Sequence, residues 1–322
     1  MSFLDLPLAE LRQYRPTVTE PADFDVFWAT TLAESRAAST PAVVNRYDAG
    51  LTGIEVFDVT FSGFAGDPVK GWFMLPRAAT GPLPTIVEYN GYGGGRGFPH
   101  EKLAWVAAGY AYFFMDTRGQ GSAWGSGGGT PDPHGSGPAF PGSMTMGIES
   151  PEAYFYRRVF TDAVLAVDAL RGLDSVDETR ITVCGISQGG GIAIAVAGLR
   201  DDLVAAMPEV PFLQHFERAV GLTGNDPYAE IVRYLAAHRG AEQQAFATLS
   251  YFDGVNFAKR ASAPALYSVA LMDPVCPPST VFASANQYAG GATVVEYPFN
   301  EHEGGAGYHW RAQAQWLRGV LA

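Results

Sequence analysis

Cysteine is scarce in this chain. Cys184 and Cys276 are the only two among 322 residues, and they stand 92 positions apart. With no CxxC pair, a cysteine-based zinc site is excluded. Both lie in apolar surroundings and read as buried thiols; a disulfide between them stays open, but the composition does not call for one. Charge is thin too, at 17% of residues, and basic residues are the minority: 21 Lys and Arg against 33 Asp and Glu, a net charge of −12. An acidic protein gains nothing from counterion release at phosphates, so nucleic acid is not an expected partner, and a polyanionic substrate is disfavoured. No apolar run approaches the roughly 18 residues of a membrane span. The opening stretch MSFLDLPLAELRQYRP carries Asp5 and Glu10 and no unbroken apolar segment. It does not read as a signal peptide, and the expected location is cytoplasmic.

Apolar material is ample, at 47%, so a disordered chain is excluded. Glycine and proline, 38 and 22 residues, exceed the average of about 12% for the two together. The length would accommodate about two domains, but the pattern reads as one, residues 1–322, with two insertions. An amphipathic helix is expected over Pro21 to Ala38. Glu55 to Ser62 and Val69 to Leu75, joined through the glycine-containing turn FAGDP, read as an antiparallel hairpin at a sheet edge. Strands then alternate with helices. Strands are expected at Thr85 to Tyr89, Ala111 to Met115, Arg180 to Cys184, Val204 to Met207, Ala265 to Leu271 and Ala292 to Tyr297. Helices are expected near Glu101 to Ala108 and at Glu152 to Leu173, Gln188 to Leu199, Pro277 to Tyr288 and Tyr308 to Leu321. That alternation predicts a mostly parallel sheet covered by helices on both faces. Two segments break the rhythm. Between Gly119 and Ser143, 9 of 25 residues are glycine and 4 are proline, so 119–150 reads as a loop insertion; a structureless loop of this length is usually functional or an interface. Residues 212–255 read as a helical insertion, with helices at Tyr228 to His238 and Ala241 to Leu249.

The chemistry is carried by Cys184-Gly185-Ile186-Ser187-Gln188-Gly189-Gly190-Gly191. Gly-x-Ser-x-Gly between an apolar strand and an apolar helix is a nucleophile elbow, in which a strained turn raises the serine hydroxyl above the sheet. Side chains at Gly185 and Gly189 would collide there. The Gln188 N–H, at the positive end of the helix, is aimed where an oxyanion would form. A serine hydroxyl needs a base, and in this fold the chain order is Ser, then Asp or Glu, then His. His302 lies in the loop after the last strand, where that order requires the base. His309, inside the final helical pattern, is the runner-up, and His215 and His238 fall within the insertion. Asp273 follows the strand Ala265 to Leu271, at a carboxyl end where ligands approach an open sheet. It would hold the His302 tautomer, unless it is simply a turn or cap residue. The loop Asn90 to Gly97 would supply a second oxyanion donor, from Tyr92 or a neighbouring glycine. It meets no phosphate-binding spacing, and no metal or cofactor motif is present.

Three clusters together, Asp116-Thr117-Arg118-Gly119-Gln120-Gly121, Gly185-Ile186-Ser187-Gln188-Gly189-Gly190 and His302-Glu303, resemble the RGQ, GxSQG and HE signatures of carbohydrate esterase family 7, the acetyl xylan esterases and cephalosporin C deacetylases. Gly97 to His100, Tyr156 to Ala163, Leu249 to Phe257 and Leu271 to Thr280 extend the likeness through essentially the whole chain. The resemblance implies an α/β-hydrolase fold with Ser187, Asp273 and His302 as the triad and the Tyr92 and Gln188 N–H groups as the oxyanion hole. It assigns supporting, loop-ordering roles to Arg118, Gln120 and Glu303. It further implies a homohexamer whose active sites open on an internal cavity, substrates that are small acetylated sugars or cephalosporin-type esters, and a perhydrolase side activity. Bulky Tyr92, Phe212, Pro227 and Val275 are expected to crowd the acyl side of the pocket. Two rivals stay open: a serine exopeptidase of the same fold, and a non-catalytic binding protein on a hydrolase scaffold.

Overall fold

A computed structural model describes residues 5–135 and 137–322. Residues 1–4 of the opening stretch and Ser136 of the long loop lie outside the described residues. Among the described residues, nine strands form one sheet: β1 (Val43–Tyr47), β2 (Ile54–Ser62), β3 (Pro68–Pro76), β4 (Leu83–Tyr89), β5 (Ala111–Met115), β6 (Val176–Ile186), β7 (Ala205–Glu209), β8 (Ala265–Ala270) and β9 (Ala292–Tyr297). Their spatial order is β1-β2-β3-β5-β4-β6-β7-β8-β9. The pairings from β5 through β9 are all parallel, and only the β1–β2–β3–β5 side is antiparallel. This is the mostly parallel, helix-covered sheet that the alternating pattern predicts, and the α/β-hydrolase fold that the resemblance implies.

The helices are α1 (Leu8–Leu11), α2 (Phe24–Ala37), α3 (Ala104–Ala107), α4 (Phe155–Arg171), α5 (Gln188–Leu199), α6 (Phe216–Leu222), α7 (Tyr228–Ala237), α8 (Glu242–Ser250), α9 (Gly254–Ala258), α10 (Pro278–Ala285) and α11 (Ala306–Val320). They cover both faces of the sheet, and the strand period of two distributes side chains between them. On β5, Ala111, Phe113 and Met115 join the larger core under α2, α4 and α5, whereas Tyr112 and Phe114 point into a smaller one with Trp105, Ala314 and Leu317.

Three sequence expectations are corrected. The β2–β3 hairpin does not form the sheet edge, because β1 pairs antiparallel outside β2. Every residue of β1 is exposed, so it carries no inward-outward alternation. The helix expected at 101–108 shrinks to a 3₁₀ turn at Pro99–Glu101 and the single turn α3, with Lys102 in a non-helical conformation between them. The insertion holds α6 as well as the two expected helices, and α9 begins at its end; both α6 and α9 are too short to display a helical period.

No helix or strand lies between β5 and α4 among the described residues, yet the long loop is pinned at its root by buried charge. Asp116, fully buried, accepts hydrogen bonds from the N–H groups of Arg96 (2.8 Å), Gly129 (2.6 Å) and Thr130 (2.9 Å) and from the Thr130 hydroxyl (3.0 Å). Arg118, equally buried, grips Asp162 of α4 with two parallel bonds of 2.6 and 2.7 Å and also reaches Asp67 (2.9 Å) and Asp132 (3.3 Å). Arg158 of α4 closes on Asp132 at 2.7 Å. Breaking a buried pair by removing one partner strands the other charge, at a cost of about 3–5 kcal/mol. Asp162→Ala is therefore expected to lower unfolding free energy by about that amount in equilibrium urea denaturation. A loss below about 1 kcal/mol would mean that Asp67 and Asp132 alone satisfy the guanidinium.

Candidate active site

The site is assembled at the carboxyl ends of β4, β6, β8 and β9. At the end of β6 the chain reverses sharply into α5, and Ser187 takes φ +56° and ψ −118°, a conformation that costs a non-glycine residue about 1–3 kcal/mol. Its surroundings hold it there. The Ser187 N–H donates to the Glu209 carbonyl (2.9 Å), and its own carbonyl accepts from Phe212 (2.9 Å) and Gly191 (3.0 Å). A Cβ on Gly189 would lie 2.0 Å from the Tyr89 carbonyl oxygen, and one on Gly185 would lie 2.6 Å from the Gly189 backbone. Both positions of the expected elbow thus need glycine for the reason the motif implies.

Ser187, Asp273 and His302 come together. Ser187 Oγ lies 2.9 Å from His302 Nε2, and His302 Nδ1 lies 2.8 Å from Asp273 Oδ2. The second Asp273 oxygen, Oδ1, accepts the N–H groups of Val275 (2.8 Å) and Cys276 (2.9 Å). One oxygen therefore anchors the carboxylate to its loop while the other faces the imidazole. In the His302 loop, Glu303 accepts hydrogen bonds from the Asn300 side chain (2.5 Å) and the Glu301 N–H (3.0 Å). The Asn300 hydrogen bond is the main cause that holds the Glu303 carboxyl below its ordinary range. His309 does not reach the serine. It is buried on α11 against the Tyr297 hydroxyl (3.1 Å), and burial lowers its pKa to about 4. His215 stacks on Tyr14 and is likewise lowered to about 4, by burial first and then by Arg218.

The Tyr92 and Gln188 N–H groups donate to nothing among the described residues, which leaves both available to an oxyanion. The neighbouring Gly93 N–H is already committed to Gln120 Oε1 at 2.9 Å, so of the two candidates in that loop Tyr92 remains. Gln120 and Gln188 pair amide to amide, at 2.9 and 3.1 Å. The Tyr156 hydroxyl donates to Gln188 Oε1 (2.9 Å), and the Asn90 carbonyl accepts from Gln188 Nε2 (3.2 Å). From the other side Trp124 donates its indole N–H to the Tyr92 carbonyl at 2.6 Å. Gln120 thus touches the site directly, whereas Arg118 supports it only through the root of the loop.

Tyr92 is half-buried and its hydroxyl is fixed. It donates to Glu230 of α7 (2.7 and 2.9 Å) and accepts from the Ser143 N–H (2.5 Å), while Glu230 also accepts from the Met144 N–H (3.0 Å). Burial pushes the Glu230 carboxyl up from its ordinary value, against the Tyr92 hydrogen bond. The sequence offers no signal for Glu230, since an acidic residue on an amphipathic helix reads as solvated. Phe212, expected at the acyl side, is corrected. It has no exposed surface and packs edge-on to Tyr92 and Tyr228, with ring centroids 6.3 and 4.3 Å away. It backs the pocket and cannot line it. Pro227, which follows a cis peptide bond, is also buried, at the start of α7; Val275 is half-buried beside Asp273. Cys184 and Cys276 are both free and buried. Cys184 faces the smaller core, but Cys276 adjoins Ser187, a placement with no counterpart in the sequence reading.

Two predictions follow from this geometry. Gln120→Ala releases the Gly93 N–H and the Gln188 amide, so steady-state kinetics on an acetyl ester should show kcat down by about 10- to 100-fold with KM nearly unchanged. An unaltered kcat would mean that Trp124 alone holds the loop. The second concerns Glu209, whose carbonyl anchors Ser187 and whose carboxyl burial pushes up to about 7, opposed by the hydrogen bond from Gln313. A carboxyl raised on folding contributes stability below its unfolded value, near 4.5, and loses that contribution as pH rises through 7. Glu209→Gln should therefore gain stability relative to the parent between about pH 4.5 and 7, as read by urea denaturation across that range; a constant difference would count against the shift.

Comparison with known proteins shows the family. The family model for acetyl xylan esterase (AXE1) matches residues 1–320. The solved acetyl xylan esterase from Paenibacillus sp. R4 superposes with a TM-score of 0.91 at 40% identity, over 98% of this chain and 99% of that one. Acetyl xylan esterase 1 from Thermoanaerobacterium sp. JW/SL YS485 gives 0.90 at 31% identity, over 99% and 100%. Among curated proteins, acetyl esterase Axe7A of Xylanibacter ruminicola is 24% identical over 303 residues, which is 89% of this chain and 65% of that longer protein. On the model match and these two structures, the chain belongs to the acetyl xylan esterase family.

Proposed function

We propose that this protein is a serine carboxylesterase that removes acetyl groups from small sugar esters, chiefly acetylated xylo-oligosaccharides, with Ser187, His302 and Asp273 as its triad. The observation that carries the reading is the continuous relay of 2.9 and 2.8 Å from the Ser187 hydroxyl through His302 to Asp273, beside two N–H groups free to donate to an oxyanion. His302 Nε2 takes the Ser187 proton as Oγ attacks the acetyl carbonyl. The Tyr92 and Gln188 N–H groups hold the oxyanion of the tetrahedral intermediate. The imidazolium, stabilised by Asp273, then protonates the departing sugar oxygen, and an acetyl-serine remains. Water, deprotonated by the same imidazole, releases acetate and restores the serine.

Tyr92 favours a short acyl group, because its ring is held by Glu230 and backed by Phe212 and so cannot swing aside. Cephalosporin C carries the same acetyl ester and fits the same chemistry. Hydrogen peroxide in place of water at the second step would yield peracetate. A homohexamer belongs to the same reading through family membership, and its check is the hydrodynamic mass.

Ser187→Ala should lower the hydrolysis of p-nitrophenyl acetate and of acetylated xylo-oligosaccharide by about 10⁴–10⁶-fold, and Asp273→Asn by about 10⁴-fold. Aminoacyl p-nitroanilides should not be cleaved, and rates should fall from acetyl to butyryl esters of one alcohol. Undiminished acetyl-ester turnover by Ser187→Ala would overturn the mechanism; efficient anilide cleavage would favour the exopeptidase.

A further inference from the structure

The triad has a third kind of neighbour that the esterase mechanism does not use. The Cys276 sulfur, an imidazole nitrogen of His302 and a carboxylate oxygen of Asp273 all lie within 4.8 Å of one another. Asp273 places the cysteine there, since its Oδ1 accepts the Cys276 N–H at 2.9 Å and so folds the loop back on the carboxylate. Cys276 and Asp273 are buried and His302 is part-exposed, so the cluster opens to solvent through the imidazole alone. Burial holds the Cys276 thiol well above its ordinary value, which the adjoining Ser187 hydroxyl only partly offsets. The sulfur is thus a poor nucleophile in its own right.

We propose that Cys276, His302 and Asp273 form an inhibitory site for a thiophilic divalent cation of the zinc type. Three atoms no more than 4.8 Å apart lie within about 2.8 Å of a common centre. Zinc binds sulfur at about 2.3 Å, imidazole nitrogen at about 2.0–2.1 Å and carboxylate oxygen at about 2.0–2.2 Å. A contraction of roughly half an ångström closes the site, while the 2.8 Å Asp273–His302 contact widens to the roughly 3.3 Å edge of a tetrahedron with bonds of those lengths. The donor set of one sulfur, one nitrogen and one oxygen favours zinc over magnesium or calcium, which prefer all-oxygen shells.

Binding disables the base by whichever nitrogen it uses. A metal on Nε2 takes the lone pair that must receive the Ser187 proton. A metal on Nδ1 forces the remaining ring proton onto Nε2, which then cannot accept one. The thiol gives up its proton to solvent as the sulfur coordinates, and no oxidant or other reactant is needed. The pattern rule that excludes a cysteine-based zinc site looks for cysteine pairs close in sequence; here Asp273 and Cys276 share one turn, and His302 joins them only through the fold.

The loss of activity rests on the triad assignment, whereas metal binding does not, and the experiment separates the two. The protein is incubated with zinc chloride, and in parallel with magnesium and calcium chloride, in a non-chelating buffer, and p-nitrophenyl acetate hydrolysis is followed. Zinc alone should inhibit, reversibly on addition of EDTA. Each of Cys276→Ser and Cys276→Ala, scored against its own metal-free rate, should need about 10-fold or more zinc for half inhibition, since even outer partners of a metal site are worth 10–100-fold in affinity. Cobalt(II) titrated into the parent protein should give a thiolate-to-cobalt charge-transfer band that both variants lack, a readout that requires no turnover. Activity unmoved by millimolar zinc, equal zinc sensitivity in parent and variants, or no charge-transfer band in the parent would each overturn the proposal.

Discussion

The site depends on a single backbone reversal, the turn in which Ser187 holds a positive φ between β6 and α5. A serine pays for that geometry in strain, and three backbone hydrogen bonds from two other segments keep it from relaxing: the Glu209 carbonyl on one side, the Phe212 and Gly191 N–H groups on the other. Glycine at 185 and 189 lets α5 sit against β4 at distances no Cβ would survive. The reward is positional. The hydroxyl stands clear of the sheet, and the Gln188 N–H lies at the helix terminus where partial positive charge is greatest.

Around that fixed point the two halves of the reaction are built by different means. The proposed base and acid come from the sheet itself, as the loops after β8 and β9 deliver Asp273 and His302 to the same edge. The oxyanion side is held from outside the sheet. Gln120 and Trp124 of the long loop and Glu230 of the helical insertion converge on Tyr92 and Gly93. The long loop carries no regular structure over its described residues, and its order comes from buried charge, with Asp116 and Arg118 at its root. An insertion that would otherwise be a liability becomes a clamp on the residue proposed to supply an oxyanion N–H.

This division explains what was legible in the sequence. The elbow is local, encoded by five consecutive residues between a strand and a helix, and β9 and α5 fall within the bounds that periodicity gives them. That Asp273 and His302 would meet Ser187 could be expected because chain order in a parallel sheet dictates where loops emerge. Tyr92's anchor could not, because Glu230 lies 138 residues away and is buried against the expectation for an acidic helix residue. Phe212 misled for the complementary reason: a bulky aromatic suggests a pocket wall, yet the Phe212 N–H is tied to Ser187 and its ring is driven into the core. β1 was invisible because a strand wet on both faces has no hydrophobic period to read.

The way Asp273 divides its two oxygens bears on both uses of the site. An aspartate free to rotate could offer either oxygen to His302 or turn to solvent, and the imidazole would sample both tautomers. With Oδ1 committed to the Val275 and Cys276 N–H groups, Oδ2 is left in one place, and a hydrogen bond there keeps the His302 proton on Nδ1 and the lone pair on Nε2 facing Ser187. The same two N–H contacts draw the Cys276 sulfur toward the imidazole. Precision in the general base and proximity of a thiol are therefore consequences of one turn. A chain that fixes a carboxylate this way, with cysteine three residues on, would acquire the proposed soft-metal site as a by-product of orienting its histidine.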